Sequence, residues 1–535
     1  MAASSRALRI VVPVVVGLVV IIVALAVAGG LTAQRAAVAS PAPTLSVTAA
    51  KSCDALTSTS LPNTTINSAA TSTASGATPE SCRVHATVTH PAANDAIGID
   101  VWMPTKAWNG RFLGVGGGGY TGGTTASLGP FVAQGYAAAS SDLGHPASAG
   151  GTFALNKDNT LNWALIRDFA YVGLHDLALT GKALVAAYYG QPAKYSYWNG
   201  CSTGGRQGLM EAQRYPQDYN GIMAAAPAIN WARFIPAELW PSLVMQRDGD
   251  FLPQCKFEAF QTAAINACDA VGDGVRDGVI GDPLTCTFDP KALVGTNTPC
   301  GQITPQDAAV VAKIFAGPRT TGGDFMWWGL TPGTSFAGIA NTQNTALATY
   351  PLPFPIAVTH LGTWTQQNPN WDWTSTTYAQ FEQLFVQSKE LFSEVIGTEN
   401  ADLTAFAKAG GKVVIWHGLA DQLIFPQGTI DYYQRVQSIA GGDKKTQEFA
   451  RLFLAPGVAH CAGGPGPQPD SPLNAVVDWV ENGNAPATLS GVVKDPTGAV
   501  KQTRPICMYP AVAAYKGAGD TTAASSFACQ TTATK

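Results

Sequence analysis

The chain has 535 residues, 13% of them charged, and a formal net charge of −4 at pH 7. This balance excludes the basic footprint of a nucleic-acid binder and leaves a small molecule as the expected partner. A hydrophobic content of 46% over this length supports a large core, while 56 glycines and 35 prolines point to long ordered loops, and no internal repeat is present.

In chain order, Arg6 and Arg9 precede an uncharged apolar run from Ile10 to Ala28. The run reads as an export signal or a single membrane anchor, so membrane attachment through residues 10–28 is one expectation. Ala37-Val38-Ala39 offers a cleavage site after it, and the segment is delimited as 1–39. Residues 40–51 form a Pro/Ala/Thr/Ser linker. Either way everything downstream is exported, and the ten cysteines agree with that. An even count in an exported chain implies disulfides whose pairing spacing alone does not fix, and the absence of C-x-x-C argues against a thiolate zinc site.

Arg83 to Thr89 and Ile97 to Met103 alternate like edge strands, and Arg111 to Val115 is a short buried strand running into Gly116-Gly117-Gly118-Gly119. Tyr136 to Ser140 reads as a strand ending at Ser141-Asp142-Leu143-Gly144-His145, and Leu161 to Tyr189 has helical apolar spacing. The strand Tyr195-Ser196-Tyr197-Trp198 then leads to Gly200-Cys201-Ser202-Thr203-Gly204, followed by a helix start from Gln207 to Arg214. Gly200, Ser202 and Gly204 fit G-x-S-x-G, a strand-turn-helix elbow so tight that small residues must flank the serine. There the next backbone N–H stands at a helix N-terminus, where it can stabilise an oxyanion. Gly221 to Ala226 is the next strand.

From about Asn230 to Leu403 the pattern gives way to aromatic and proline-rich segments with four cysteines, then resumes at Lys412 to Trp416. We read residues 230–403 as a lid inserted into a catalytic domain of residues 52–229 and 404–535. The resumed strand leads to His417-Gly418-Leu419-Ala420-Asp421. A last strand, Ala450 to Leu454, leads to His460-Cys461, with a helix from Asn474 to Glu481 beyond. Strands alternating with helices predict an α/β fold with a mostly parallel sheet covered on both faces.

A serine nucleophile needs a base to take its proton and a carboxylate to orient that base. Ser202, Asp421 and His460 supply these in the order Ser…Asp…His, each just after a predicted strand, which is the α/β-hydrolase order. His417 and His145 also follow strands and are the rival bases. Cys201 precedes Ser202 and Cys461 follows His460, so a disulfide between them would hold nucleophile and base close together. In the lid, Asp269, Asp273 and Asp277 are spaced through glycine turns; with the carbonyls of Val275 and Val279 they offer the oxygen donors that calcium takes, though not in an EF-hand pattern.

These residues resemble the tannase and feruloyl esterase family, which includes the hydrolase of mono(2-hydroxyethyl) terephthalate. The likeness runs from about Cys53 onward. It is carried by Gly200-Cys201-Ser202-Thr203-Gly204-Gly205-Arg206-Gln207-Gly208 with Glu211 to Pro216, by Ser141 to His145, by His417-Gly418 with Asp421, and by His460-Cys461 with Gly463 to Pro467. The resemblance implies an α/β-hydrolase domain, a lid with structural calcium, a Ser202-Asp421-His460 triad and a Cys201–Cys461 disulfide. It also implies an oxyanion hole made by the N–H of Thr203 and one from Gly118 or Gly119. The chain departs from the family at two points. Gly272 adds a residue between Asp269 and Asp273, and Gln422 stands where a proline often follows the triad acid.

The expected function is an exported serine carboxylesterase acting on esters of hydroxycinnamic, gallic or terephthalic acid. A non-catalytic binding protein and an acyltransferase are the alternatives on the same fold. Trp327, Trp328, Trp364, Trp371, Trp373 and Phe392 are the lid aromatics considered for the substrate pocket.

Overall fold

The computed structural model describes residues 49–344 and 349–531. The apolar run at residues 10–28 and the cleavage site at 37–39 lie outside the described residues. Among the described residues no helix is long and apolar enough to cross a membrane.

Nine strands form the central sheet: β1 Thr64–Ser72, β2 Ser81–Val88, β3 Ile97–Pro104, β4 Arg111–Val115, β5 Ala137–Ser141, β6 Tyr195–Cys201, β7 Gly221–Ala225, β8 Lys412–Gly418 and β9 Ala450–Ala455. Their spatial order is β1-β2-β3-β5-β4-β6-β7-β8-β9. The six strands from β5 to β9 pair parallel, while β1, β2 and β3 add antiparallel at one side. This is the α/β-hydrolase arrangement. Every residue of β5 and of β7 is buried, as both faces of a parallel sheet must be when helices cover them. β2 and β3, which the alternation predicts to be edges, are interior; the edge is β1, whose sequence Thr-Thr-Ile-Asn-Ser-Ala-Ala-Thr-Ser carries too little apolar patterning to be read as a strand.

The helix predicted from Leu161 to Tyr189 is broken into a short turn at Trp163–Arg167, a π-turn at Asp168–Val172 and α1, Gly173–Tyr189. α2, Thr203–Arg214, follows β6 directly. The chain passes from β4 to β5 on one side and then crosses to β6 on the other. The carboxyl ends of β4 and β6 therefore flank a switch point, where α/β sheets bind ligands.

β7 and β8 are neighbours in the sheet, yet nearly two hundred residues separate them in sequence. That insertion contains α3 Trp231–Glu238, α4 Gln254–Cys268, α5 Pro305–Ala316 and α6 Tyr378–Ile396. α5 and α6 both start with capping boxes, Thr304 with Asp307 and Thr377 with Gln380, which satisfy the free N–H groups of their first turns. Cys255–Cys300 and Cys268–Cys286 close within the insertion. After β8 come α7, Pro426–Ala440, and, beyond β9, α8, Pro472–Asn482. Two hairpins end the described chain, β10 Thr488–Lys494 with β11 Val500–Cys507, and β12 Ala511–Tyr515 with β13 Phe527–Thr531. Cys507–Cys529 joins the second and fourth of these strands, and Cys53–Cys82 ties the N-terminal turn to β2. All ten cysteines are paired.

Candidate active site

Ser202 occupies the turn between β6 and α2 with φ 62° and ψ −124°, a conformation costly for a side-chain-bearing residue and held here by its surroundings. The turn closes because neighbouring positions lack side chains. A Cβ on Gly200 would come within 2.4 Å of the Gly204 backbone, and one on Gly205 within 2.4 Å of the Ala225 carbonyl. The Ser202 N–H bonds to Ala225 O at 3.0 Å, which fixes the turn on β7.

The glycine run after β4 lies against the first turn of α2. Gly204 N donates to Gly117 O at 2.9 Å, and Thr203 Oγ1 donates to Gly119 O at 2.7 Å. Gln207 clamps the same run from both sides, accepting from Gly117 N at 3.0 Å and donating to Gly122 O at 2.9 Å. These bonds leave the N–H groups of Gly118, Gly119 and Thr203 without a protein acceptor among the described residues. They are thus free donors beside the serine, the kind of group that stabilises an oxyanion.

Asp421, just past β8, is fully buried and accepts four hydrogen bonds. Leu423 N and Ile424 N reach Oδ1 at 2.9 and 2.8 Å, while His460 Nδ1 and His417 Nε2 reach Oδ2 at 2.8 and 3.1 Å. Burial works to raise its carboxyl, but the adjoining His460 and the hydrogen bonds from His417 and His460 outweigh it and hold the group well below the usual carboxylate range. No direct hydrogen bond joins Ser202 Oγ to His460 among the described residues; such contacts tighten in the Michaelis complex. The disulfide Cys201–Cys461, with a Cα–Cα distance of 5.9 Å, links the immediate neighbours of the two residues.

The rival bases sit differently. His417 is buried behind Asp421, where its Nδ1 meets Thr429 Oγ1 at 2.9 Å and its Nε2 also meets Ile424 O at 3.0 Å. It supports the same carboxylate oxygen, Oδ2, that His460 contacts. His145 is buried too, stacked on Phe153 with ring centres 3.7 Å apart, and its Nε2 lies 2.7 Å from Tyr120 O, so it braces the loop that carries Gly118 and Gly119. Gln422 also touches the site. Its Oε1 accepts from His460 N at 3.0 Å, which puts this departure from the family pattern in contact with the site.

Of the lid aromatics, Trp364 comes nearest the glycine loop. It lies 5.5 Å from the Tyr120 ring and packs on Phe392. Trp327 and Trp328 instead line a separate cleft of about 310 Å³ with Arg233 and Phe325, to which none of Ser202, Asp421 and His460 contributes. Trp371 and Trp373 are only partly buried, packed against the core from outside.

In the acidic loop, Gly272, Gly274 and Gly278 all have positive φ and turn the chain around its carboxylates. Asp269 accepts from Asp277 N and Gly278 N, Asp273 from Val275 N, and Asp277 from Val279 N. The buried Arg504 of β11 bridges Asp273 and Asp277 at 2.6 and 2.8 Å. Among the described residues no three His, Cys, Asp or Glu side chains converge on one ion position. The three carboxylates and the Val275 and Val279 carbonyls are oxygen donors of the type calcium takes, and Arg504 already pairs with two of those carboxylates.

The family profile described as "Tannase and feruloyl esterase" matches residues 82–530. A probable feruloyl esterase of Arthroderma benhamiae is 42% identical over 483 residues, covering 88% of this chain and 87% of its own. Among solved structures, feruloyl esterase B from Aspergillus oryzae superposes with a TM-score of 0.78 at 27% identity, covering 89% of this chain and 99% of its own. Tannin acyl hydrolase from Aspergillus niger gives a TM-score of 0.80 at 26% identity, covering 88% and 92%.

Proposed function

The chain belongs to the tannase and feruloyl esterase family and is a carboxylic ester hydrolase, and on that premise we propose that it is an exported serine esterase cleaving esters of aromatic acids. The observation that carries the mechanism is the joining of Ser202 and His460 through adjacent disulfide-bonded cysteines, with Asp421 on the far side of the imidazole at 2.8 Å.

In this reading His460 takes the Ser202 hydroxyl proton as Oγ attacks the ester carbonyl. Asp421 fixes the imidazole with Nδ1–H toward the carboxylate and stabilises the imidazolium that forms. The negative charge developing on the carbonyl oxygen is met by the N–H of Thr203 and by those of Gly118 and Gly119. His460 then delivers its proton to the leaving alcohol, and a water activated by the same imidazole releases the acid from the acyl-enzyme. Five disulfides suit an oxidising compartment outside the cytoplasm. Calcium is proposed for the loop of Asp269, Asp273, Val275, Asp277 and Val279, where it would supply charge neutralisation and bracing.

The test is turnover by purified protein of methyl esters of hydroxycinnamic, gallic and terephthalic acids. Hydrolysis of at least one, abolished in Ser202→Ala, is expected; a folded wild-type protein that turns over none of them would contradict the reading.

A further inference from the structure

Asp421 holds His460 by its ring, and the next residue along the chain holds it by its backbone. Asp421 Oδ2 meets His460 Nδ1 at 2.8 Å, while the half-buried Gln422 accepts from His460 N through Oε1 at 3.0 Å. Two consecutive side chains of the turn after β8 thus grip one residue at two points. The ring bond alone leaves the rest of His460 free to swing about it, and the second bond removes that freedom.

The backbone beyond His460 shows why a second grip matters. Cys461 has φ 61°, a conformation costly for a residue that carries a Cβ, and Ala462 N closes back on His460 O at 2.7 Å. A strained turn of this kind persists only where its surroundings hold it. On its downstream side the Cys201–Cys461 bridge does so. Upstream, the acid turn holds the histidine loop by Ala420 N on Val458 O at 3.0 Å, two residues before His460, and by Gln422 on His460 itself. The insertion in turn sets the acid turn. Thr331 Oγ1 donates to Leu419 O at 2.7 Å, and a Cβ on Gly338 would come within 3.3 Å of Gln422 Cγ and 2.7 Å of Leu423 Cδ2, so the lid packs on this turn both before and after Asp421.

We propose that Gln422 is a positioning residue for the general base: its side-chain carbonyl fixes the His460 backbone, and with it the reach of the imidazole from Asp421 to Ser202. The proposal rests on the esterase reading and adds to it a residue outside the triad. Because Gln422 acts on the geometry of the base, its loss costs rate and leaves substrate affinity in place; a shift of about 1 Å at a reacting group can cost up to 10²-fold. Acylation and deacylation draw on the same imidazole, so kcat falls whichever of the two limits it.

The experiment compares the wild type with Gln422→Met, which keeps the length and loses the acceptor, and with Gln422→Glu, which keeps an acceptor oxygen at the same reach. Measured for each are kcat and KM with the methyl esters of hydroxycinnamic, gallic and terephthalic acids, the rate at which a fluorophosphonate labels Ser202, and the melting temperature. Met should lower kcat by about tenfold, the order of one hydrogen bond, with KM changed by less than about twofold. Labelling should slow by a similar factor, since it uses the same base to activate the serine. Glu should keep at least about a third of the wild-type kcat. Both variants should melt close to the wild type with Cys201–Cys461 oxidised; if Met does not yield folded protein, Gln422→Ala carries the same comparison. Unchanged kcat and labelling in Met or Ala, a loss in Glu as deep as in Met, or a loss of rate that follows a loss of melting temperature would overturn the role of Gln422 and leave the esterase reading intact. A wild type that neither turns over any of the esters nor labels at Ser202 would count against the esterase reading and remove the role with it.

Discussion

At the scale of single residues, the chemistry turns on how Asp421 is surrounded. Four donors and complete burial leave it one stable state, the anion, so its replacement by Asn should leave the geometry in place while turning the His460 imidazole to the wrong tautomer. Asp421→Asn is expected to lower kcat by about 10⁴, and Ser202→Ala or His460→Ala by about 10⁶, without loss of the folded state. Steady-state kinetics alongside circular dichroism checks this; activity kept in His460→Ala and lost in His417→Ala would move the base to His417. A second residue-scale prediction concerns Asp168 on the π-turn. Burial, followed by the charge of Asp95, pushes this carboxyl up to about 7, and its Oδ2 has no partner. In the unfolded chain it ionises near 4, so between about pH 4 and 7 the folded state binds the extra proton and stability falls as pH rises. Asp168→Asn should therefore raise the melting temperature by a few degrees at pH 8 and by much less at pH 5. An equal gain at both pH values would show that the charge is not the cause.

At the scale of elements, the elbow and the histidine loop are held by each other. The Cys201–Cys461 bridge spans 260 residues of sequence. The loop-entropy estimate for such a closure is on the order of 4–5 kcal/mol, though native strain can reduce it. Its position argues for a second effect, because a displacement of about 1 Å at a reacting group can cost 10²-fold in rate. The double variant Cys201→Ala with Cys461→Ala should lose activity at temperatures well below its unfolding, with the other four bridges oxidised. Activity that tracks the melting curve would reduce the bridge to a stabilising link.

Elements also account for what the sequence reveals. Ser202, Asp421 and His460 stand out because each lies in the loop just after a strand legible in the sequence, most clearly at β8, which is buried almost throughout and reads as a continuous apolar run. β1 and the C-terminal hairpins do not stand out, since β1 is mostly polar and β11 carries Lys501, Gln502 and Arg504 among its apolar positions. The partners of the site are hidden for a different reason. Gln422 acts through a contact with a segment distant in sequence, which leaves no periodic trace. Gln422 reads as a neutral departure until its contact with His460 N is seen.

At the scale of the whole molecule, the insertion between β7 and β8 brings Trp231 of α3 within 5.8 Å of the Tyr120 ring beside the glycine loop, while staying fastened by its own disulfides and by the C-terminal hairpins through Arg504. Calcium in the acidic loop would act on this fastening and not on acyl transfer. A chelator should lower the melting temperature by several degrees while leaving the initial rate at low temperature nearly unchanged, and elemental analysis should find about one calcium per chain. Protein free of calcium whose melting ignores chelators would leave Arg504 as the cation that ties Asp273 to Asp277.

The central claim is that Ser202 carries the acyl group, and covalent trapping addresses it most directly. The enzyme is treated with a fluorophosphonate, with and without a competing aromatic ester, digested and mapped by mass spectrometry. The account predicts one adduct per chain, on the peptide containing Ser202, diminished by the ester and absent in His460→Ala. Inhibition through an adduct at another residue with Ser202 unmodified, or ester hydrolysis that persists after Ser202 is fully labelled, would contradict it.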